Sequence, residues 1–220
     1  EHMPIDVIIS PEIEIARAVN RRLQVPGAID MIPFAEDRIR VIAVRVDDGC
    51  PIANTPLRQL TELFPDLQIR VMGIVRNGKV SAPKGDDEMA LGDEVYFAVE
   101  TSHLARAMAS FGHEEKEARR VIIIGGGNIG LFLAEALELD HPTVTPKLIE
   151  LSAERAHYIA EKLNRTVVLN GDALDRELLE EANVQATETV IAVANDDEVN
   201  ILASLLAKRY GCTRAVTLIN

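Results

Sequence analysis

The chain has 220 residues, and 23 Lys plus Arg against 35 Asp plus Glu give a formal charge of −12. That balance excludes a general DNA- or RNA-coating protein, which needs a basic face. With no Trp, 3 Tyr and 5 Phe, stacking platforms for bases are poorly supplied. Hydrophobic residues are 47% of the chain, enough for a real core, and no apolar run reaches the roughly eighteen residues of a membrane span.

Glu1-His2-Met3 reads as a vector remnant (residues 1–3). No signal-peptide pattern follows, so the cytosol is the expected compartment. Cys50 and Cys212 form no CxxC pair and read as small buried hydrophobes. Residues 4–30 open with a strand, Ile5–Ile9. Ser10 then caps a helix and Pro11 takes its first position, where a missing N–H costs nothing. Ile13, Ala16, Val19 and Leu23 line one face of that helix, and Val25-Pro26-Gly27 ends it. This strand and helix read as the close of a preceding, truncated nucleotide-binding domain. Their apolar face is expected to need a partner, in a homodimer built mainly through residues 5–100.

Residues 31–100 read as a small α+β domain. Its strand candidates are 38–46, 68–76, 79–81 and 94–98, with Asn77-Gly78 as a hairpin turn. Thr55-Pro56 opens a short helix through Leu57, Leu60 and Leu63, closed by Pro65. Residues 101–118 form a linker helix followed by a charged stretch. From residue 119 to 220 short β-branched runs alternate with helical stretches, the signature of βα units with a parallel sheet. The expected fold class is α/β, a Rossmann-like parallel-sheet domain preceded by the small α+β domain.

The strand Val121–Ile124 runs into Gly125-Gly126-Gly127-Asn128-Ile129-Gly130, and a helix pattern follows. In the G-x-G-x-x-G register Gly125 permits the tight turn. Gly127 lets a pyrophosphate approach the backbone, and Gly130 lets the helix pack on the strand. The N–H groups at Asn128 and Ile129 then face an anion. Glu150 ends the next strand, twenty residues after Gly130. A carboxylate there accepts hydrogen bonds from ribose hydroxyls and repels a 2′-phosphate. Gly171-Asp172 ends the third strand, where Asp172 either meets an adenine or caps the next helix. Ala194-Asn195 ends the fourth, before an acidic helix start at 196–198 that serves the helix dipole, the crevice, or both.

Enzyme signals are weak. None of the five histidines lies at the carboxyl end of an expected strand, so His103, His113, His141 and His157 all read as surface residues. Leu131 and Phe132 stand where a nucleoside-triphosphatase loop would carry Lys and Ser or Thr. No catalytic or metal-ligating residue is assigned. A binding role without turnover fits better, with an NAD-dependent oxidoreductase fragment and a purely structural assembly module as alternatives.

The combination of Gly125–Gly130, Glu150, Gly171-Asp172-Ala173 and Ala194-Asn195-Asp196-Asp197-Glu198-Val199-Asn200 resembles the cytoplasmic regulatory subunits of bacterial Trk potassium uptake systems, a regulator-of-conductance family. Asp6–Glu12 and residues 38–99 match the same pattern. The resemblance implies tandem units, a small domain that dimerises, and a Rossmann domain that binds NAD⁺, NADH, ATP or another adenine nucleotide. It also implies an integral membrane potassium-translocating partner and a peripheral place on the inner face of the membrane, while the charge balance leaves no nucleic-acid partner expected.

Overall fold

The structure is a computed structural model. It describes residues 10–64, 67–114 and 118–219. The expected strand at 5–9, the remnant at 1–3 and Pro65 lie outside the described residues. Packing divides the chain into two units: residues up to Asn20 together with those from Ala118 onward, and the stretch between, from Arg21.

The first helix, α1, spans Pro11–Gln24, with acids in its first turn and Arg21 and Arg22 in its last, both favourable to its dipole. Its apolar face is not bare, contrary to the expectation, because Ala16, Val19 and Leu23 are buried within the chain. Gly27 ends the run at φ +86°, a left-handed position that suits glycine.

The unit from Arg21 holds one antiparallel sheet. Its elements are β1 (Ala28–Phe34), β2 (Ile39–Arg45), α2 (Leu57–Leu63), β3 (Ile69–Arg76), β4 (Lys79–Ser81), β5 (Glu94–Glu100) and α3 (Leu104–Ser110). The strand order is β1-β2-β5-β3-β4. The sequence reading missed β1, taking residues up to 30 for the preceding domain. Pro33 obscured it: proline cannot donate to a ladder, but β1 pairs with β2 alone and sits at the sheet edge, where that is tolerated. Asn77 and Gly78, both at positive φ, turn β3 into β4 as expected. Ile42, Val44, Met89 and Phe97 fill the core, and Phe97 stacks on Phe111 with ring centroids 4.7 Å apart. Cys50 and Cys212 are both buried, and burial pushes both thiols up.

The other unit carries β6 (Arg120–Ile124), α4 (Asn128–Asp140), β7 (Thr145–Glu150), α5 (Ala153–Lys162), β8 (Val167–Asn170), α6 (Arg176–Glu181), β9 (Thr189–Ala192), α7 (Asp197–Arg209) and β10 (Arg214–Thr217). Every pairing in this sheet is parallel, in the order β10-β9-β6-β7-β8. The chain steps from β6 one way to β8, then returns to β9 on the other side. The carboxyl ends of β6 and β9 therefore flank a switch point, where such sheets bind ligands.

Two features brace α4. Arg165 donates to the carbonyl oxygens of Leu137, Pro142 and Val144 at 3.0–3.3 Å, tying the end of the helix to the turn that follows it. The side chain of Asn20 donates to Asp140 at 3.0 Å and meets His141 Nε2 at 3.0 Å. His141 is 8% exposed, so the surface reading of this histidine is corrected: it is a hydrogen-bonded residue between α1 and the end of α4.

Candidate functional site

The glycine loop joins β6 to α4 at the carboxyl edge of the parallel sheet. Its four glycines answer to different constraints. Gly125 turns at φ +100°, and a Cβ there would lie 2.7 Å from the backbone of Ala194. A Cβ on Gly126 would lie 2.4 Å from Ile159 Cδ1, and one on Gly130 would lie 1.9 Å from the Gly125 carbonyl oxygen. These three are glycine because the protein packs against them. Gly127 differs: the nearest atom to its added Cβ is Asn195 Oδ1, at 3.8 Å. The fold leaves that space open, on the side where α4 begins. Gly127 is the N-cap of α4 and brings no capping side chain, so first-turn N–H groups, including those of Asn128 and Ile129, are left for water or an anion.

A cavity of about 590 Å³ lies over this loop, lined among others by Gly127, Glu150, Arg155, Asp172, Ala194 and Asn195. Glu150 stands where the sequence places it, at the end of β7. Its carboxylate also has a task the sequence did not reveal. Oε2 accepts from the Gly126 N–H at 2.7 Å, and Oε1 accepts from the Ser152 N–H at 2.8 Å. Arg155 grips the same glycine from the other end, donating from Nε to the Gly126 carbonyl at 2.7 Å. The loop is thus held at one residue, through the two peptide groups that flank it, by a carboxylate and a guanidinium, each facing the cavity. A carboxylate oxygen has two lone pairs, so Glu150 retains acceptor capacity for hydroxyl groups.

Gly171 follows β8, and its N–H donates to the Glu150 carbonyl at 3.0 Å; a Cβ there would lie 2.9 Å from Leu178. Asp172 accepts from the Leu174 N–H at 2.9 Å in a tight turn while lining the cavity, and Asp175 rather than Asp172 caps α6. Asn128 is exposed. Its side chain helps hold the Glu12 carboxyl below its usual range, behind the larger influences of the Glu12 backbone N–H and the Ser10 hydroxyl. Asp196 caps α7 through the Val199 N–H at 2.9 Å, and that bond is the main reason its carboxyl titrates low.

Sequence reasoning passed over Gly126, Arg155 and Asn200 as site residues. Gly126 was hidden by the register of the motif, which assigns no role to its second position. Arg155 lies five residues beyond Glu150 on the first turn and a half of α5, a spacing that by itself says little. Asn200, an amide placed four residues into a helix at the sheet edge, is 0% exposed.

Two family models meet on this chain: the TrkA-C domain over residues 35–112 and the TrkA-N domain over residues 121–220. The chain belongs to the TrkA family. Trk system potassium uptake protein TrkA of Azorhizobium caulinodans is 48% identical over all of this chain and 48% of that protein's length. The proteins of that name from Halomonas elongata and Vibrio alginolyticus are 39% and 38% identical over 100% and 99% of the chain. The chain spans about half the length of these curated relatives, 48% and 47% of the latter two. Among solved structures, the crystal structure of the GsuK RCK domain superposes over 94% of this chain and 48% of that one, with TM-score 0.57 and 21% identity. A GsuK channel bound to NAD superposes over 94% and 40%, with TM-score 0.55 and 18% identity. These two establish a shared fold. The parallel α/β unit and the small α+β unit expected from the sequence are both present. Among the described residues no helix is long and apolar enough to cross a membrane.

Proposed function

We propose that this TrkA-family chain is a nucleotide-sensing regulatory element of a potassium uptake system. The unit carrying β6–β10 binds NAD⁺ or NADH, or ATP as another adenine nucleotide, over the glycine loop. Gly125, Gly127, Asn128, Ile129 and Gly130 supply the turn and the N–H groups for the pyrophosphate. Glu150 takes the adenosine ribose, Gly171 and Asp172 border the adenine, and Ala194 and Asn195 border the other end. The ligand is read rather than consumed. If it binds one arrangement of the protein more tightly than another, it shifts that equilibrium by its differential affinity. An integral membrane potassium-translocating subunit receives the shift, with the chain on the cytoplasmic face of the membrane and paired with a second copy through residues 5–100.

The observation that carries this reading is the asymmetry among the glycines. Three are required by packing, whereas the open side of Gly127 faces an uncapped helix start and a cavity. The test follows from it. Gly127→Val should fold as the wild type does, since the nearest atom to an added Cβ is Asn195 Oδ1 at an ordinary contact distance of 3.8 Å, yet block the approach of a pyrophosphate. Calorimetric titration with NADH and with ATP should show binding to the wild type and none to a variant with wild-type circular dichroism. Wild-type affinity in the folded variant defeats the proposal.

A further inference from the structure

The amide of Asn200 is fully buried on the first turn of α7, and all of its bonds are made to two backbone positions. Its Oδ1 accepts from the Ala194 N–H at 2.8 Å. Its Nδ2 donates to the Ala194 carbonyl at 2.8 Å and to the Leu218 carbonyl at 3.1 Å. Ala194 is held by both its donor and its acceptor, an arrangement otherwise supplied by a neighbouring strand. Leu218, just beyond β10, is tied to the same point.

What Ala194 does for the site is set by Gly125. A Cβ on that glycine would lie 2.7 Å from Ala194 Cα, so the turn of the glycine loop rests directly on this residue. The sheet order supplies direction. Glu150 and Asp172 end or follow β7 and β8, on one side of the loop; Ala194 and Asn195 follow β9, on the other. A dinucleotide with its adenosine ribose at Glu150 therefore carries its phosphates across the loop and its second nucleoside toward Ala194.

We propose that Asn200 is a positioning residue for the ligand's phosphates and second nucleoside: it fixes the Ala194 wall against which the glycine turn is set, and has no part in holding the adenosine end. This rests on the nucleotide reading above. Chemically, the role requires an amide. A carboxylate can accept from the Ala194 N–H but cannot donate to the two carbonyls, and a methyl group can do neither. The free wall would move relative to Gly125, while Glu150 would keep its own bonds to Gly126 and Ser152.

The experiment compares two ligands on four proteins: wild type, Asn200→Asp, Asn200→Ala and Val184→Ala. Val184 is buried 1% exposed before β9, at the opposite edge of the sheet, and serves as a destabilised control. NAD⁺ binding is read by calorimetry and adenosine binding by NMR titration. Each Asn200 variant should bind NAD⁺ weaker by about tenfold or more, the consequence of losing charge-neutral bonds that fix a contact wall. Adenosine affinity should stay within about twofold, as for a site sharing none of those partners. Val184→Ala should lower the melting temperature and leave both affinities alone. Unchanged NAD⁺ affinity, or NAD⁺ and adenosine affinities falling together, overturns the positioning role. Wild-type protein that binds neither ligand overturns the nucleotide reading instead. If both Asn200 variants fail to fold, hydrogen exchange on the ligand-free wild type decides: a protected Ala194 amide supports the clamp, and one exchanging like an open loop amide refutes it.

Discussion

Replacing Glu150 with Gln keeps the shape of the side chain and removes one acceptor. The wild-type carboxylate takes the Gly126 N–H at 2.7 Å on one oxygen and the Ser152 N–H at 2.8 Å on the other. The amide has a single oxygen, and its NH₂ group can only donate. One of the two backbone N–H groups therefore loses its partner, and a ribose hydroxyl loses a charged acceptor as well. Hydrogen bonds to charged groups contribute about 1.5–3 kcal/mol. At about 1.4 kcal/mol per decade, losing one such bond weakens a ligand by roughly tenfold to a hundredfold. NADH and ATP share the adenosine ribose, so both should weaken by similar factors. The Gly126 carbonyl retains the Arg155 bond, so the variant should remain folded with a modestly lowered melting temperature. Calorimetry with both nucleotides at pH 8, beside a thermal melt, is the measurement. If both affinities stay at wild-type values, neither the ribose role nor the loop-bracing role survives. If only one nucleotide weakens, the shared-ribose argument fails.

Two further expectations concern the small unit. Asp93 is 2% exposed and receives two bonds from Arg76, at 2.8 and 2.7 Å, and one from the Ala90 N–H at 2.8 Å. The Arg76 guanidinium is the main reason its carboxyl is held below the usual range. A depressed folded-state pKa adds stability above the unfolded value near about 3.9, and that stability is lost as pH falls through the folded value. Acid unfolding followed by circular dichroism should therefore be steeper in the wild type than in Asp93→Asn, and the variant should be less stable at pH 7 by about 1.5–3 kcal/mol; equal acid slopes count against this. The proposed pairing of two copies has an exposed apolar strip to draw on, with Ile32 at 47%, Phe34 at 52% and Ile39 at 40% exposure along β1 and β2. Light scattering after gel filtration should give a dimer for the wild type and a shift toward monomer for Phe34→Glu, and a wild-type monomer at micromolar concentration defeats the pairing.

The parallel sheet was legible because its strands are buried on both faces and so read as unbroken apolar runs. Val121–Ile124 and Thr189–Ala192 are each at most 2% exposed. The hairpin at Asn77-Gly78 was legible because few dipeptides tolerate two positive φ angles in succession. By contrast β1 alternates poorly, with only Met31 buried, and carries a proline. Its strand character comes from pairing with β2 some ten residues later, and no local pattern encodes that. The histidine at 141 fails for a related reason. Its partner is Asn20, which is 121 residues away in sequence.

In the site, the legible part was the glycine loop between strand and helix, and the illegible part was what holds it. A G-x-G-x-x-G register assigns each glycine to the ligand or to packing by analogy, yet here three of four glycines answer to neighbouring protein atoms and one to open space. The place of Glu150 at the end of β7 was legible because its distance from the loop follows the spacing of the motif. The carboxylate's bond to Gly126 spans 24 residues and depends on the parallel pairing of β6 with β7. That pairing has a functional consequence. The same carboxylate that would take a ribose also braces the loop that would take a phosphate. A ligand offering only phosphate or only ribose would satisfy one half of this arrangement. A nucleotide would satisfy both, and under the proposed binding mode the wall at Ala194, held by Asn200, is where a second nucleoside would distinguish NAD from ATP.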